Sequence, residues 1–134
     1  MAKDFTELVC WQLSHELSTF MIKVTNRPTA RRHRRFCEQA DDAAASAPRN
    51  IAEGFGRYDH KEFAQFLKIA IGSVYETRHH VIEAFDRGFI TETERQTALD
   101  LTRRTITAAS RLRTYLLRTT APEPNFNSDD SSLQ

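Results

Sequence analysis

The sequence has few residues of the kinds that interrupt helices, form disulfide bonds or cross membranes. It contains 4 Gly and 4 Pro in 134 residues, too few for a fold with a tight turn after every strand. Its two cysteines, Cys10 and Cys37, are fewer than a secreted disulfide scaffold of this size carries, so we expect reduced thiols in the cytoplasm. No apolar run approaches the roughly 18 residues of a membrane span. The N-terminal segment has no signal-peptide core, and we expect no membrane partner.

The net charge of +1 conceals an uneven distribution of acidic residues. Residues 121–134 contain Glu123, Asp129 and Asp130 and no base, so residues 1–120 carry 19 basic and 15 acidic side chains, a net charge of +4. A mildly basic body is compatible with a nucleic-acid partner without requiring one. The last segment is also rich in Asn, Ser and Asp, which predicts a folded domain over residues 1–120 and a disordered tail over residues 121–134.

Apolar residues recur at steps of three and four in four long segments, which is the spacing of one face of a helix. The predicted helices cover roughly residues 6–26, 29–55, 59–87 and 91–120. Because most connections between them are short, we predict an all-α fold, an up-and-down four-helix bundle.

Several residues predict where the helices start and stop. Asp59 with Glu62, and Thr91 with Glu94, form capping boxes at the starts of the third and fourth helices, in which each side chain bonds the other residue's free N–H. Gly88 fits the position just after the end of the third helix.

Pro48 lies inside the apolar pattern of the second helix. Proline removes a backbone hydrogen bond and clashes with the preceding turn, so we predict that this helix is kinked or broken near Pro48. Gly54 and Gly56 come at its end, where we expect left-handed backbone geometry.

The third helix has more apolar surface than a bundle needs. Its apolar side chains span about half the circumference, whereas a helix packed on one side needs a stripe of about 100°. We therefore expect two neighbours, its own bundle and a second subunit. These residues are Phe63, Phe66, Leu67, Ala70, Ile71, Val74, Tyr75, Val81, Ile82 and Phe85.

Five arginines lie within nine residues where the second helix begins. A helix N-terminus already carries partial positive charge, so phosphate groups would compensate this cluster well. The alternative is a solvated basic loop that neighbouring carboxylates neutralise. The five are Arg27, Arg31, Arg32, Arg34 and Arg35.

Three further arginines, Arg104, Arg111 and Arg118, recur every seven residues on one face of the fourth helix. Together with Arg31, Arg32, Arg34 and Arg35 they are the predicted phosphate contacts, because guanidinium groups match phosphate oxygens in pairs.

Arg78 lies within the apolar arc of the third helix. A buried arginine needs a carboxylate, and Asp41, Asp42 and Glu53 on the second helix are the candidates. The alternative is that Arg78 extends its charged head to solvent.

No motif predicts catalysis. Glu76 and His79 have the Glu-x-x-His spacing of di-iron ligands, but such bundles need a second pair and two further Glu, which we do not find. Cys10 and Cys37 form no Cys-x-x-Cys pair. We predict no enzymatic activity, no metal and no cofactor.

Two segments of the chain resemble the signature of a bacterial protein family. They are SAPRNIAEGFGR at residues 46–57 and KEFAQFLKIAIGS at residues 61–73. The family comprises four-helix bundle proteins related to those encoded by intervening sequences of large-subunit ribosomal RNA genes. It includes the accessory variability determinant (Avd) of diversity-generating retroelements. The likeness covers residues 5 to about 117.

The resemblance implies a four-helix bundle assembled as a ring-shaped homopentamer, without enzymatic activity. The resemblance also implies a basic surface, which in the retroelement member binds nucleic acid and a reverse transcriptase.

Within the signature we expect structural roles. Gly54 and Gly56 would permit a turn, and Gly72 would allow close packing of the third helix. Asn50 and Glu53 would satisfy backbone groups freed around Pro48 and the turn.

This sequence departs from the family pattern at two places. Asp41 and Asp42 stand where the family usually has a basic pair, and Arg78 stands where it often has an acid. We hypothesise that Arg78 pairs with Asp41 or Asp42. The departure also removes two bases that would have met phosphate.

Two hypotheses for function remain open. The first is a homo-oligomeric accessory protein that binds RNA or DNA through its arginines. The second is a protein-interaction or structural module with no nucleic-acid role.

Overall fold

The computed structural model describes residues 2–119. Our prediction of a disordered tail concerns residues that lie outside this range. Within it there are five α-helices, preceded by a short 3-10 turn at Phe5–Glu7, and no strand. The helices are α1 Val9–Thr25, α2 Pro28–Arg31, α3 Arg34–Phe55, α4 His60–Asp86 and α5 Glu92–Thr119. The prediction of an all-α bundle with four long helices is confirmed.

Contacts at both ends show that α3 and α4 run antiparallel. Phe55 at the end of α3 packs edge-on against Phe63 near the start of α4, and Phe36 near the start of α3 packs against His80 near the end of α4. Between them, the Ser73 hydroxyl donates to the Ser46 hydroxyl at 2.7 Å. The two signature segments therefore lie against each other and form one half of the α3–α4 contact.

The predicted caps largely determine the helix ends. At the start of α5, the Thr91 N–H donates to the Glu94 carboxylate at 2.9 Å, and the Glu94 N–H donates to the Thr91 hydroxyl at 3.1 Å. At the start of α4 only half the capping box forms, because Asp59 accepts from the Glu62 N–H while the Glu62 carboxylate lies 3.6 Å from Arg57.

Gly88 has a φ of 81° directly after α4, as predicted. The Phe89 N–H then bonds the Ala84 carbonyl and the Gly88 N–H bonds the Phe85 carbonyl, which is the Schellman arrangement of a helix end.

The second predicted helix is interrupted at a different place from the one expected. α3 runs without a break through Pro48, so of the two alternatives the break is excluded. The interruption comes at residues 32 and 33, between α2 and α3. Buried neighbours on both sides of the proline, Ala47 and Ile51 among them, hold the helix against α1 and α4, and this packing outweighs the one lost backbone bond.

The signature glycines play other roles than those predicted. Gly54 is buried, and a Cβ atom there would lie 2.7 Å from Phe66 Cβ and 2.8 Å from Phe63 Cδ1. Its role is close approach of α3 to α4. Gly56 has a φ of −72°, so the left-handed geometry expected there is wrong. Gly72 is exposed, and nothing in residues 2–119 lies within 4 Å of a Cβ position there, so no helix of the same chain packs closely against it.

The side chains of Asn50 and Glu53 bond different kinds of partner. The Asn50 side chain donates to the Ser46 carbonyl at 2.8 Å, one turn before, whereas the carbonyl that lacks its helical donor because of Pro48 is that of Ala44. Glu53 instead pairs with Arg57 at 2.9 Å, and the Arg57 guanidinium lies over the Phe66 ring.

The core along α4 consists of two apolar clusters, one with Leu67 and Val74 and the other with Val81, and it does not use all of the predicted arc. Leu67, Val74 and Val81 are fully buried, whereas Tyr75 remains 57% exposed and Phe85 36% exposed. Ile69, outside the predicted arc, is 52% exposed. The bundle thus leaves apolar surface of α4 uncovered within one chain. No helix in residues 2–119 combines the length and hydropathy that crossing a membrane requires.

Candidate functional site

Arg27 differs from the other arginines of its segment because its guanidinium group is paired. Its guanidinium forms two hydrogen bonds to the Glu94 carboxylate, at 3.0 and 2.6 Å, and donates a third to the Phe89 carbonyl at 2.9 Å. The bond from Arg27 lowers the pKa of Glu94 to about 2. Arg27 therefore ties the α1–α2 connection to the start of α5 and has a structural role.

The other four arginines form an exposed group, which we call the α2–α3 arginine cluster. It consists of Arg31, Arg32, Arg34 and Arg35, all exposed. None of their guanidinium groups forms a hydrogen bond or an ion pair with another residue in 2–119. Neutralisation by neighbouring carboxylates, the alternative for this cluster, is thus not observed in the described part of the chain.

The cluster surrounds the N-terminus of α3, which increases the local positive potential. The residue before this helix, His33, makes no side-chain cap bond, and the first turn of α3 contains no acid. The His33 ring instead packs against Phe89, with ring centroids 5.1 Å apart. Free backbone N–H groups and four guanidiniums thus occupy one end of the bundle, an arrangement that favours anions.

The three α5 arginines differ in their surroundings. Arg104 lies 3.8 Å from the Asp100 carboxylate, which also pairs with Arg103. Arg111 and Arg118 are exposed, and their guanidinium groups form no hydrogen bond or ion pair with a residue that the structure describes. They line a shallow cavity of about 390 Å³ together with Ser110, Thr114 and Tyr115.

The structure does not bring all seven predicted arginines together. The α2–α3 arginine cluster lies at the end of the bundle where His33 meets Phe89 and where α5 begins. Arg118 lies at the opposite end, where Thr119 meets His60. From Glu94 to Arg118, α5 rises about 36 Å at 1.5 Å per residue. One chain therefore presents two separate cationic sites.

Arg78 makes neither of the hypothesised ion pairs. It is exposed, no ion pair joins it to Asp41 or Asp42, and Asp41 instead accepts a hydrogen bond from the Thr25 hydroxyl at 2.8 Å. The prediction of a buried pair is wrong, because Arg78 lies on the outer part of the α4 arc, where Tyr75 is also exposed. Both line a groove of about 700 Å³ between α4 and α5. Its other residues are Leu99, Asp100, Arg103, Ile106 and Thr107.

His80 is a feature that the sequence analysis missed. It is 4% exposed, and neither ring nitrogen has a hydrogen-bond partner among residues 2–119. The Glu76 and Glu83 carboxylates lie 3.8 and 3.7 Å from these nitrogens. Its position, one turn before the buried Ala84, is a signal that the sequence offers for its burial.

The remaining candidate catalytic or metal-binding side chains in the described residues do not lie together at one site. His79 is exposed and lies 3.8 Å from Glu83, not beside Glu76. Residues 2–119 contain no group of three or more His, Cys, Asp or Glu side chains arranged to hold a metal ion. Cys10 and Cys37 are both free thiols, and burial raises the pKa of Cys10 to about 11.

The fold and its charges define a helical bundle protein with two exposed arginine sites. The family model described as 23S rRNA-intervening sequence protein matches residues 6–110, and the chain belongs to this family. The match includes α1 to α4, both signature segments and most of α5. Comparison with curated proteins gave no match.

Proposed function

We propose that this protein is a cytoplasmic, non-enzymatic accessory factor that binds RNA or DNA through its exposed arginines. The observation that carries the proposal is the α2–α3 arginine cluster, whose four guanidiniums have no partner in residues 2–119 and surround an uncapped helix N-terminus. Four solvent-exposed guanidinium groups at one end of a helix neutralise the phosphates of a nucleic acid and release its bound counterions. This gives an affinity that does not depend on the nucleotide sequence.

Membership of the family supports the proposal only in part, because the match defines the family and not the ligand. The signature segments resemble those of the accessory variability determinant of retroelements. By this likeness we propose both a nucleic-acid partner and a protein partner. Both are carried to this chain as proposals.

We also propose that the protein forms a homo-oligomer, a pentamer by the same likeness. The uncovered apolar side chains of α4, Ile69 and Tyr75, support a further subunit contact. In a ring each copy repeats both arginine sites, so weak contacts add through multivalency. The mass of the native assembly tests this: five chains of 15.5 kDa are expected, and a monomer at micromolar concentration would contradict it.

The nucleic-acid proposal is tested by fluorescence anisotropy with labelled RNA and DNA at increasing salt. Replacing Arg31, Arg32, Arg34 and Arg35 by alanine should weaken binding at least about tenfold and make the salt dependence shallower, by about 0.7 per lost phosphate contact on single strands. The matched control removes the same charge elsewhere. It replaces the exposed residues Lys23, Arg49, Lys61 and Lys68 by alanine.

Equal affinities of the two variants would mean that net charge, not the cluster, drives binding. If no nucleic acid binds at low salt, the alternative stands, a protein-interaction or structural module. The groove between α4 and α5 favours that alternative, because Tyr75, Leu99 and Ile106 give it an apolar lining.

A further inference from the structure

The far end of α5 presents an exposed tyrosine between two arginines that have no side-chain partner within residues 2–119. Tyr115 is 50% exposed. Arg111 precedes it by four residues and Arg118 follows it by three, so the three side chains share one face of the helix. They line the shallow cavity of about 390 Å³ described above, in which Ser110 and Thr114 add two hydroxyl groups.

The ring of Tyr115 is half exposed and has one aromatic neighbour among residues 2–119. Its aromatic neighbour is His60, with ring centroids 6.3 Å apart. His60 is itself held by a 2.7 Å hydrogen bond between its Nδ1 atom and the Thr119 hydroxyl. The phenolic hydroxyl of Tyr115 bonds no residue in the range 2–119. An aromatic plane held in place but half solvated offers a stacking surface to a second ring.

We propose that this face binds single-stranded nucleic acid, with one unpaired base stacked on Tyr115 and the flanking phosphates on Arg111 and Arg118. The two arginine Cα atoms are about 10 Å apart along the helix axis, at 1.5 Å per residue, so their guanidiniums flank the tyrosine on both sides. The Ser110 and Thr114 hydroxyls are placed to bond phosphate or sugar oxygens. This inference rests on the proposed function and specifies its substrate class.

The preference for single strands follows from what each ligand can offer. Every base has a π-face that can stack on an aromatic side chain, but in a duplex these faces are occupied by neighbouring base pairs. A duplex therefore meets Arg111 and Arg118 through its phosphates alone, and Tyr115 contributes nothing to its affinity.

The groove between α4 and α5 provides the contrast. Tyr75 is 57% exposed there and also lies beside arginines, Arg78 and Arg103. However, the Asp100 carboxylate lies in the same groove and pairs with Arg103, so it neutralises one cation and repels phosphate. Because Tyr75 also lies at the proposed subunit contact, the control is Tyr58, which is 90% exposed and whose neighbour Arg57 is paired with Glu53.

The experiment compares affinities for a labelled single strand of about 16 nucleotides, near the upper site size of single-strand binding folds, with those for the duplex of the same sequence. Tyr115→Ala should weaken single-strand binding about tenfold and leave duplex binding unchanged within about twofold, whereas Tyr115→Phe should retain single-strand affinity because it keeps the ring. Tyr58→Ala should change neither. A strand carrying 2-aminopurine should lose fluorescence on binding the wild type and not on binding Tyr115→Ala.

The outcomes separate this inference from the proposed function. If Tyr115→Ala binds single strands as tightly as the wild type, or weakens strand and duplex equally, base stacking on Tyr115 is wrong although nucleic-acid binding stands. If the wild type binds neither ligand at low salt, the proposed function fails as well. Circular dichroism of each variant establishes folding, and Tyr115→Phe tests the ring independently of any loss of packing in the alanine variant.

Discussion

Arg27 and Glu94 join the connection after α1 to the first turn of α5 through a bidentate ion pair, with nitrogen–oxygen distances of 3.0 and 2.6 Å. Glu94 also accepts from the Thr91 N–H, so one carboxylate serves both as helix cap and as partner of the arginine. The two residues are 67 positions apart in the chain, and their contact closes the end of the bundle that carries the α2–α3 arginine cluster.

The ion pair leads to a prediction about acid stability. The contact with Arg27 lowers the pKa of Glu94 to about 2, from an ordinary value of 4.5. A lowered pKa in the folded state stabilises the fold above the ordinary value, and this stabilisation is lost as the pH falls from about 4.5 toward 2. Glu94→Gln keeps a capping acceptor but removes the charge. Urea denaturation should show a smaller loss of stability on acidification for this variant than for the wild type.

Glu92→Gln is the control, because Glu92 lies in the same turn and pairs with Arg95 at 3.3 Å. A variant with Gln at position 94 whose stability falls with pH as steeply as that of the wild type would contradict a role for this pair.

Gly54 and Gly72 should respond oppositely to alanine. At position 54 a Cβ would lie 2.7 Å from Phe66 Cβ, so Gly54→Ala should destabilise the fold by about 1–3 kcal/mol through overpacking. At position 72 nothing lies within 4 Å, and alanine is a better helix former, so Gly72→Ala should stabilise by about 0.5–1 kcal/mol. Chemical denaturation of both variants measures the difference. The same sign of change in both would refute the packing argument for Gly54.

His80 leaves two buried ring nitrogens without a hydrogen-bond partner in the described range. An unsatisfied buried polar group costs about 1–3 kcal/mol, so His80→Leu should not destabilise the fold at neutral pH and should stabilise it by about 1 kcal/mol. The exposed neighbour gives the control, and His79→Leu should change the free energy of unfolding by less than about 0.5 kcal/mol. A clear loss of stability in His80→Leu would indicate that the ring has a partner, such as water or Glu76, that matters for folding.

Removal of residues 121–134 should strengthen nucleic-acid binding if the proposed function is correct. The segment contains three acids and no base, so its loss changes the net charge from +1 to +4. The gain in affinity should be largest at low salt and should vanish as salt screens the charges, because the Debye length falls to about 8 Å at physiological ionic strength. Anisotropy titrations of both lengths measure it, and equal affinities at low salt would show that these acids do not influence the ligand.

Local patterns predicted much of the fold. The Thr91–Glu94 capping box and the glycine at position 88 were read correctly, because both depend on backbone groups within one turn of the residues themselves. The buried positions of α4, such as Leu67 and Val74, followed from helical periodicity alone. The predicted ion pair of Arg78 failed because its outcome depends on which neighbour each helix face meets, and at Pro48 the structure excludes a break but not a kink.

The sequence by itself determined that this is a protein of four long amphipathic helices with an excess of arginine near one helix start, since periodicity, caps and charge are properties of neighbouring residues. Only the tertiary structure decided that Arg27 is paired while Arg31, Arg32, Arg34 and Arg35 are not, that Gly54 is a contact point, and that Tyr115 lies open between Arg111 and Arg118. The reason is physical: pairing and exposure depend on distances between helices, which chain order does not contain.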